Sequence, residues 1–241
     1  MKLTRTFSAL MLALAASGSV QAIPLSDLLN GGSITAGDKL FDNWALSFYD
    51  SSDPLRTFNA TNIDVTPLND GGMDPGPGLS FSVHNGEFSV SGDGLYAYLD
   101  ATFGFRVSVL DPGKLIKDNS LRLTGGLVHN LGDNGFYIRE TIGTSAGLDD
   151  LGVKQVEFSW LDPSLGGNGL TSNLTDQATF TPLSSIWISK NILVWATDPG
   201  ETADLTGFEQ RFSQTAVPEP ATLCLLGLGL AGLGFARQRR S

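Results

Sequence analysis

From Phe103 to Val109 every second residue is apolar, with Gly104, Arg106 and Ser108 between them. A period of two sends the large side chains to one face of a β-strand. Val156, Phe158 and Trp160 repeat the pattern against Gln155, Glu157 and Ser159. Further strands are expected at residues 44–49, 79–83, 87–90, 95–99, 121–129, 136–142, 178–181, 186–195 and 205–212. Turn formers separate them, among them Asn85-Gly86, Asp93-Gly94, Asn134-Gly135, Asp162-Pro163 and Asp198-Pro199-Gly200. Asn-Gly and Asp-Gly supply the positive backbone angles of tight hairpins. Many short strands with regular turns predict an all-β fold, an antiparallel β-sandwich or jelly roll. Only Ser26–Leu29 reads as a helical turn in the body. The Gly- and Pro-rich stretch 70–78 is expected to be a surface loop, and 207–216 to shade into a polar approach to the C-terminal segment.

Both ends read differently from the body. Lys2 and Arg5 precede an apolar run from Phe7 to Ala16, and Val20-Gln21-Ala22 offers small residues for a signal peptidase. A signal helix cut after Ala22 is expected. At the other end stand Pro218-Glu219-Pro220, the uncharged stretch 221–236, and Arg237, Arg239 and Arg240. The prolines lack amide donors and form a stiff spacer. The 16 residues that follow would span about 24 Å as a helix at about 1.5 Å each, slightly short for a bilayer core of about 30 Å. The arginines would hold that end on the cytoplasmic side.

This layout resembles the PEP-CTERM sorting signal of Gram-negative bacteria, made of a Pro-Glu-Pro motif, a transmembrane helix and a basic end. The same tail also carries the label of an ice-binding protein C-terminal domain, although nothing in it could order ice. The resemblance implies recognition in the inner membrane by an exosortase, a membrane protease that removes the tail and passes the body to the cell surface or the extracellular polysaccharide. Together with the N-terminal signal it gives three expected segments: a signal peptide (1–22), a β-sandwich body (23–216) and a sorting tail (217–241) with its transmembrane segment at 221–236.

Cys224, the one cysteine, lies in the tail, so a processed body has no disulfide and no thiolate metal site. That body, 23–216, is 194 residues long and large enough for one core. Removing Lys2, Arg5, Arg237, Arg239, Arg240 and Glu219 leaves 10 basic and 24 acidic residues, a net charge of −14. Such a body repels nucleic acid and anionic lipid.

Catalytic motifs are weak. Gly143-Thr144-Ser145-Ala146-Gly147 matches a nucleophile elbow, but His84 and His129 both precede Ser145, against the α/β-hydrolase order. A histidine-first arrangement on a β scaffold stays open. Gly227, Gly229 and Gly232 imitate a dinucleotide fingerprint inside the apolar tail, with no strand before them. Packing of the tail helix against a membrane partner explains them better. Two histidines are too few for zinc, and no cofactor or metal is expected. Calcium stays open at the loop residues Asn69, Asp70, Asp74, Asp149 and Asp150. Glycosidase chemistry needs two facing carboxyls, which sequence does not locate. Trp44, Trp160, Trp187 and Trp195 are candidate sugar platforms; alternation turns Trp187 away from Ile186 and Ile188.

The leading expectation is therefore an exported, non-enzymatic surface or matrix protein with an adhesive or structural role. Its expected partners are an exosortase-type enzyme, the membrane before processing, and extracellular polysaccharide. The alternatives are a secreted carbohydrate-binding module and a secreted hydrolase.

Overall fold

A computed structural model describes residues 21–217. The signal segment up to Val20, the Pro218-Glu219-Pro220 triplet, the apolar stretch 221–236 and Arg237, Arg239 and Arg240 lie outside them. Among the described residues no helix is long and apolar enough to cross a membrane.

Two seven-stranded sheets face each other, and every pairing is antiparallel. The first runs β1 (Ile23–Pro24), β4 (Ile63–Leu68), β5 (Gly78–Val83), β14 (Thr202–Ala216), β8 (Lys114–Leu127), β12 (Thr175–Leu183), with β6 (Ser89–Ser91) also on β14. The second runs β11 (Gly169–Asn173), β10 (Gly152–Leu161), β9 (Asn134–Gly143), β13 (Ser185–Ala196), β7 (Ala97–Val109), β3 (Lys39–Ser51), β2 (Ile34–Ala36). A short helix, α1 (Leu25–Leu29), buries Leu25 and Leu28. It contains the expected Ser26–Leu29 turn.

Alternation along the central strands builds the core. Phe103, Phe105 and Val107 of β7 are fully buried, as are Ile186, Ile192 and Val194 of β13. Phe81 of β5 stacks on Phe208 of β14 with ring centroids 4.4 Å apart and planes 13° from parallel. Offset ring pairs of this kind add to the burial they contribute.

Several expectations needed correction. The two separate strands predicted at 95–99 and 103–109 are one, β7, because Asp100 and Thr102 keep the period on the outer face. Residues 207–216 are no polar approach: they belong to β14, which sits between β5 and β8. Gln214 there is buried and partnered: it accepts a 2.5 Å hydrogen bond from the Lys39 ammonium and donates to Gly72 O. The loop that carries Gly72 and Met73 folds back over this end, and Met73 O accepts from Gln214 N. Strands β1, β2, β4 and β11 escaped the sequence reading, being short or carrying Pro24, Pro67 or Gly169.

Three ionisable residues lie side by side in the interior. Lys154, Glu140 and Lys190 are register partners on β10, β9 and β13, and all are buried. Burial would raise the Glu140 carboxyl, but the two ammonium groups and their hydrogen bonds overcome it and hold it below the usual carboxylate range.

Candidate ligand-binding face

Residues that alternate inward on β7, β13 and β9 leave their neighbours on the outer face of the second sheet. There Arg106 lies opposite Trp187, Thr102 opposite Asn191 and Tyr98 opposite Trp195. Arg139 continues the Thr102–Asn191 row onto β9, and Tyr137 lies opposite Leu193, whose β7 partner is Asp100. The face is therefore aromatic and polar together, the mixture that stacks on flat sugar faces while holding hydroxyls.

Trp187 borders a groove of about 140 Å³, lined also by Ala45, Ser47, Gly104, Ala146, Gly147 and Ser189. Gly104 is required there, since a Cβ would stand 2.6 Å from Ile188 O. The absent side chain keeps the groove open beside the indole. Arg106 lies 6.0 Å from the Trp187 ring centroid and is fixed by a two-point contact with Asp42, at 2.9 and 2.7 Å. A bidentate clamp of this kind holds the indole's neighbour rigid.

Toward the other end of the face, Tyr96 stacks beside Tyr98 at 5.7 Å. Tyr98 donates to Asp50 at 2.8 Å, and that bond raises its phenol above the ordinary range. Asp50 and Asp100 are register partners. Burial chiefly, and the charge of Asp50, raise the Asp100 carboxyl, against a hydrogen bond from Asn191. Burial also raises Tyr96 and Tyr137.

The remaining sequence candidates scatter. Ser145 sits in the β9–β10 turn, where its carbonyl accepts from Leu148 N. His84 Nε2 lies 3.2 Å from Asp64, and His129 Nδ1 accepts from Thr202 N at 3.3 Å, so each histidine is engaged away from Ser145. Four of the five loop residues considered for calcium have other side-chain partners. Asn69 accepts from Gly37 N, Asp70 pairs with Arg211, Asp74 with Lys117, and Asp150 caps Thr144 through both its oxygens. Among the described residues no group of three or more histidine, cysteine or acidic side chains could hold a metal.

The tryptophans divide. Trp44 is core, Trp160 is half-buried at the β10 end, and Trp195 is covered by Tyr137, leaving Trp187 as the exposed-face indole. Sequence reading passed over Tyr96, Tyr98 and Tyr137, although their alternation with Ala97, Leu99 and Ile138 was a readable signal.

Residues 216–240 match the family described as the PEP-CTERM protein-sorting motif. The chain carries a PEP-CTERM sorting motif. It marks an exported protein held transiently at the membrane. The motif begins at Ala216, the last residue of β14.

No curated protein matches the chain. Among solved structures it overlaps TmCBM61 in complex with beta-1,4-galactotriose at 11% identity, over 73% of this chain and 89% of that one, with a TM-score of 0.26. It overlaps the family GH12 endoglucanase 3 of Trichoderma harzianum at 11% identity, over 70% and 97%, with a TM-score of 0.22. A family 32 CBM from C. perfringens NanJ, in complex with galactose, gives 14%, 78% and 97%, with a TM-score of 0.19. Superpositions this loose carry no argument about activity.

Proposed function

We propose that this is a non-enzymatic surface or matrix protein of a Gram-negative bacterium, delivered by an exosortase-type enzyme and acting by association with extracellular polysaccharide. The observation that carries the reading is the sorting motif joined directly to a complete sandwich. Processing after Ala22 leaves Ile23 paired with Val65 in β1, and removal of residues 217–241 leaves β14 whole to Ala216. Neither cut falls within a strand of the body. The Trp187 groove and the tyrosine-lined end of the same face supply rings and hydroxyl partners for sugar.

Protein released by the native host should begin at or near Ile23 and yield no peptide from Leu223 to Ser241 in mass spectrometry. Deleting Pro218–Ser241 should abolish normal sorting while leaving the body folded. Recovery of the intact tail in released protein refutes exosortase-type processing.

A second reading, a secreted glycoside hydrolase, is favoured by the Asp50–Asp100 pair. Directly opposed side chains in a sheet stand about 5 Å apart at Cβ, within the spacing glycosidase carboxyls use. Hydrolysis of a polysaccharide that disappears in Asp100→Asn would establish it and displace the non-enzymatic reading.

A further inference from the structure

The interior row of Lys154, Glu140 and Lys190 does not stop at ion pairing. Across the sandwich, Asn119 of β8 donates Nδ2 to Glu140 Oε1 at 2.7 Å, and Gln210 of β14 donates to the same oxygen at 2.8 Å. Lys190 occupies the other carboxylate oxygen, with its ammonium 5.5 Å from the Phe208 ring centroid. Lys154 Nζ lies 3.0 Å from Oε1 but off the line of a hydrogen bond, and it has no other partner. Asn119 Oδ1 is likewise buried without a partner. One carboxylate thus faces two lysines, and an amine and an amide from opposite sheets converge on a single oxygen.

We infer that Lys154 and Asn119 condense into an amide that ties β10 to β8, with Glu140 as the proton relay. The inference is independent of the proposed surface role. Lys154 Nζ attacks Asn119 Cγ as Oε1 of Glu140 takes the proton that the nitrogen sheds. The same oxygen already accepts from Asn119 Nδ2, and returns that proton to it as the Cγ–Nδ2 bond breaks. One nitrogen–carbon bond forms, one breaks, and ammonia leaves; nothing is oxidised or reduced.

Three features favour the step. Attack needs a neutral amine, and burial lowers Lys154 to about 8 against the pull of Glu140. Lys190 keeps the carboxylate compensated when Lys154 gives up its charge, which relieves the cost of two buried cations on one anion. Glu140, Lys154, Lys190 and Asn119 are all buried, so water does not compete with the amine, and fixed positions replace a bimolecular encounter. Ammonia escapes into bulk solvent, which suppresses reversal.

The test is the mass of the protein. Full-length chain, purified after folding, should weigh about 17 Da less than the sequence between whichever termini the spectrum shows, the loss of one ammonia. Trypsin should release residues 118–122 joined to residues 140–190, because a linked Lys154 is no longer cleaved. Lys154→Arg keeps the buried charge without a reactive amine and should have the full sequence mass, as should Glu140→Gln. An unmodified wild-type mass overturns the inference, whether or not the variants fold. So does a loss of ammonia without the joined peptide, since cyclisation at Asn119 gives the same mass, and so does a link that maps to Lys190 or Gln210.

Discussion

Trp44 stacks on Phe105 with ring centroids 4.3 Å apart and planes 29° from parallel, joining β3 to β7 inside the core. Its indole donates to Phe41 O at 3.2 Å. The contact exists because β3 slips in register between Asp42 and Ala45, with Asn43 at φ 54°. Without that bulge, strict alternation from buried Phe41 would place Trp44 outside. A bulge re-aims a side chain in this way, and Asn is among the residues that tolerate the angle.

Phe105→Asp should therefore prevent folding, because it buries an unpaired charge between Trp44 and Phe41. Trp44→Ala should leave a folded but weaker protein, by about 3 to 5 kcal/mol. Urea unfolding followed by circular dichroism measures both. A well-folded Phe105→Asp variant would contradict the core described.

Trp187→Ala should weaken binding of the body to host extracellular polysaccharide about tenfold, on the order of 1.4 kcal/mol. Thermal stability should change little, since the ring lies on the outer face. Affinity electrophoresis in the purified polysaccharide is the measurement. Unaltered retardation would remove this groove as the binding site.

Replacing Ser145, His84 and His129 together by alanine should leave folding and surface association nearly intact, because the three side chains form no unit. Loss of a measurable hydrolysis in the folded triple variant would reverse the non-enzymatic reading.

Asp100 gives a pH signature. Its carboxyl is raised in the folded state by burial and by Asp50, so above the unfolded value of 3.8 the folded protein binds more protons than the unfolded chain. Stability then falls as pH rises through that window. Asp100→Asn, which can still accept from Asn191, should be more stable than wild type at pH 7, by less than about 1 kcal/mol given the partial exposure. The advantage should vanish near pH 3, where the wild-type carboxyl is protonated in both states. Denaturant midpoints at the two pH values decide it, and an advantage that grows in acid would be the wrong sign.

Local pattern was enough for a good part of this molecule. The period of two in residues 103–109 and 186–195 depends only on strand geometry, so the long central strands and their inward phenylalanines and isoleucines were legible. The sorting motif was legible too, because it is a contiguous string whose prolines, apolar run and arginines act by their order along the chain. Trp187 pointed outward by parity alone. Pairing partners, by contrast, are set by contacts between residues far apart in sequence, and no local signal encodes them. Only the tertiary structure moved Trp44 inside through the Asn43 bulge, made 207–216 an interior strand, and set Tyr98 beside Asp50. It alone brought Asn119, Glu140, Lys154, Lys190 and Gln210 from five strands into one interior cluster. In sequence each of these is a polar residue that could face water; two stacked sheets, with water excluded between them, make them one chemical unit.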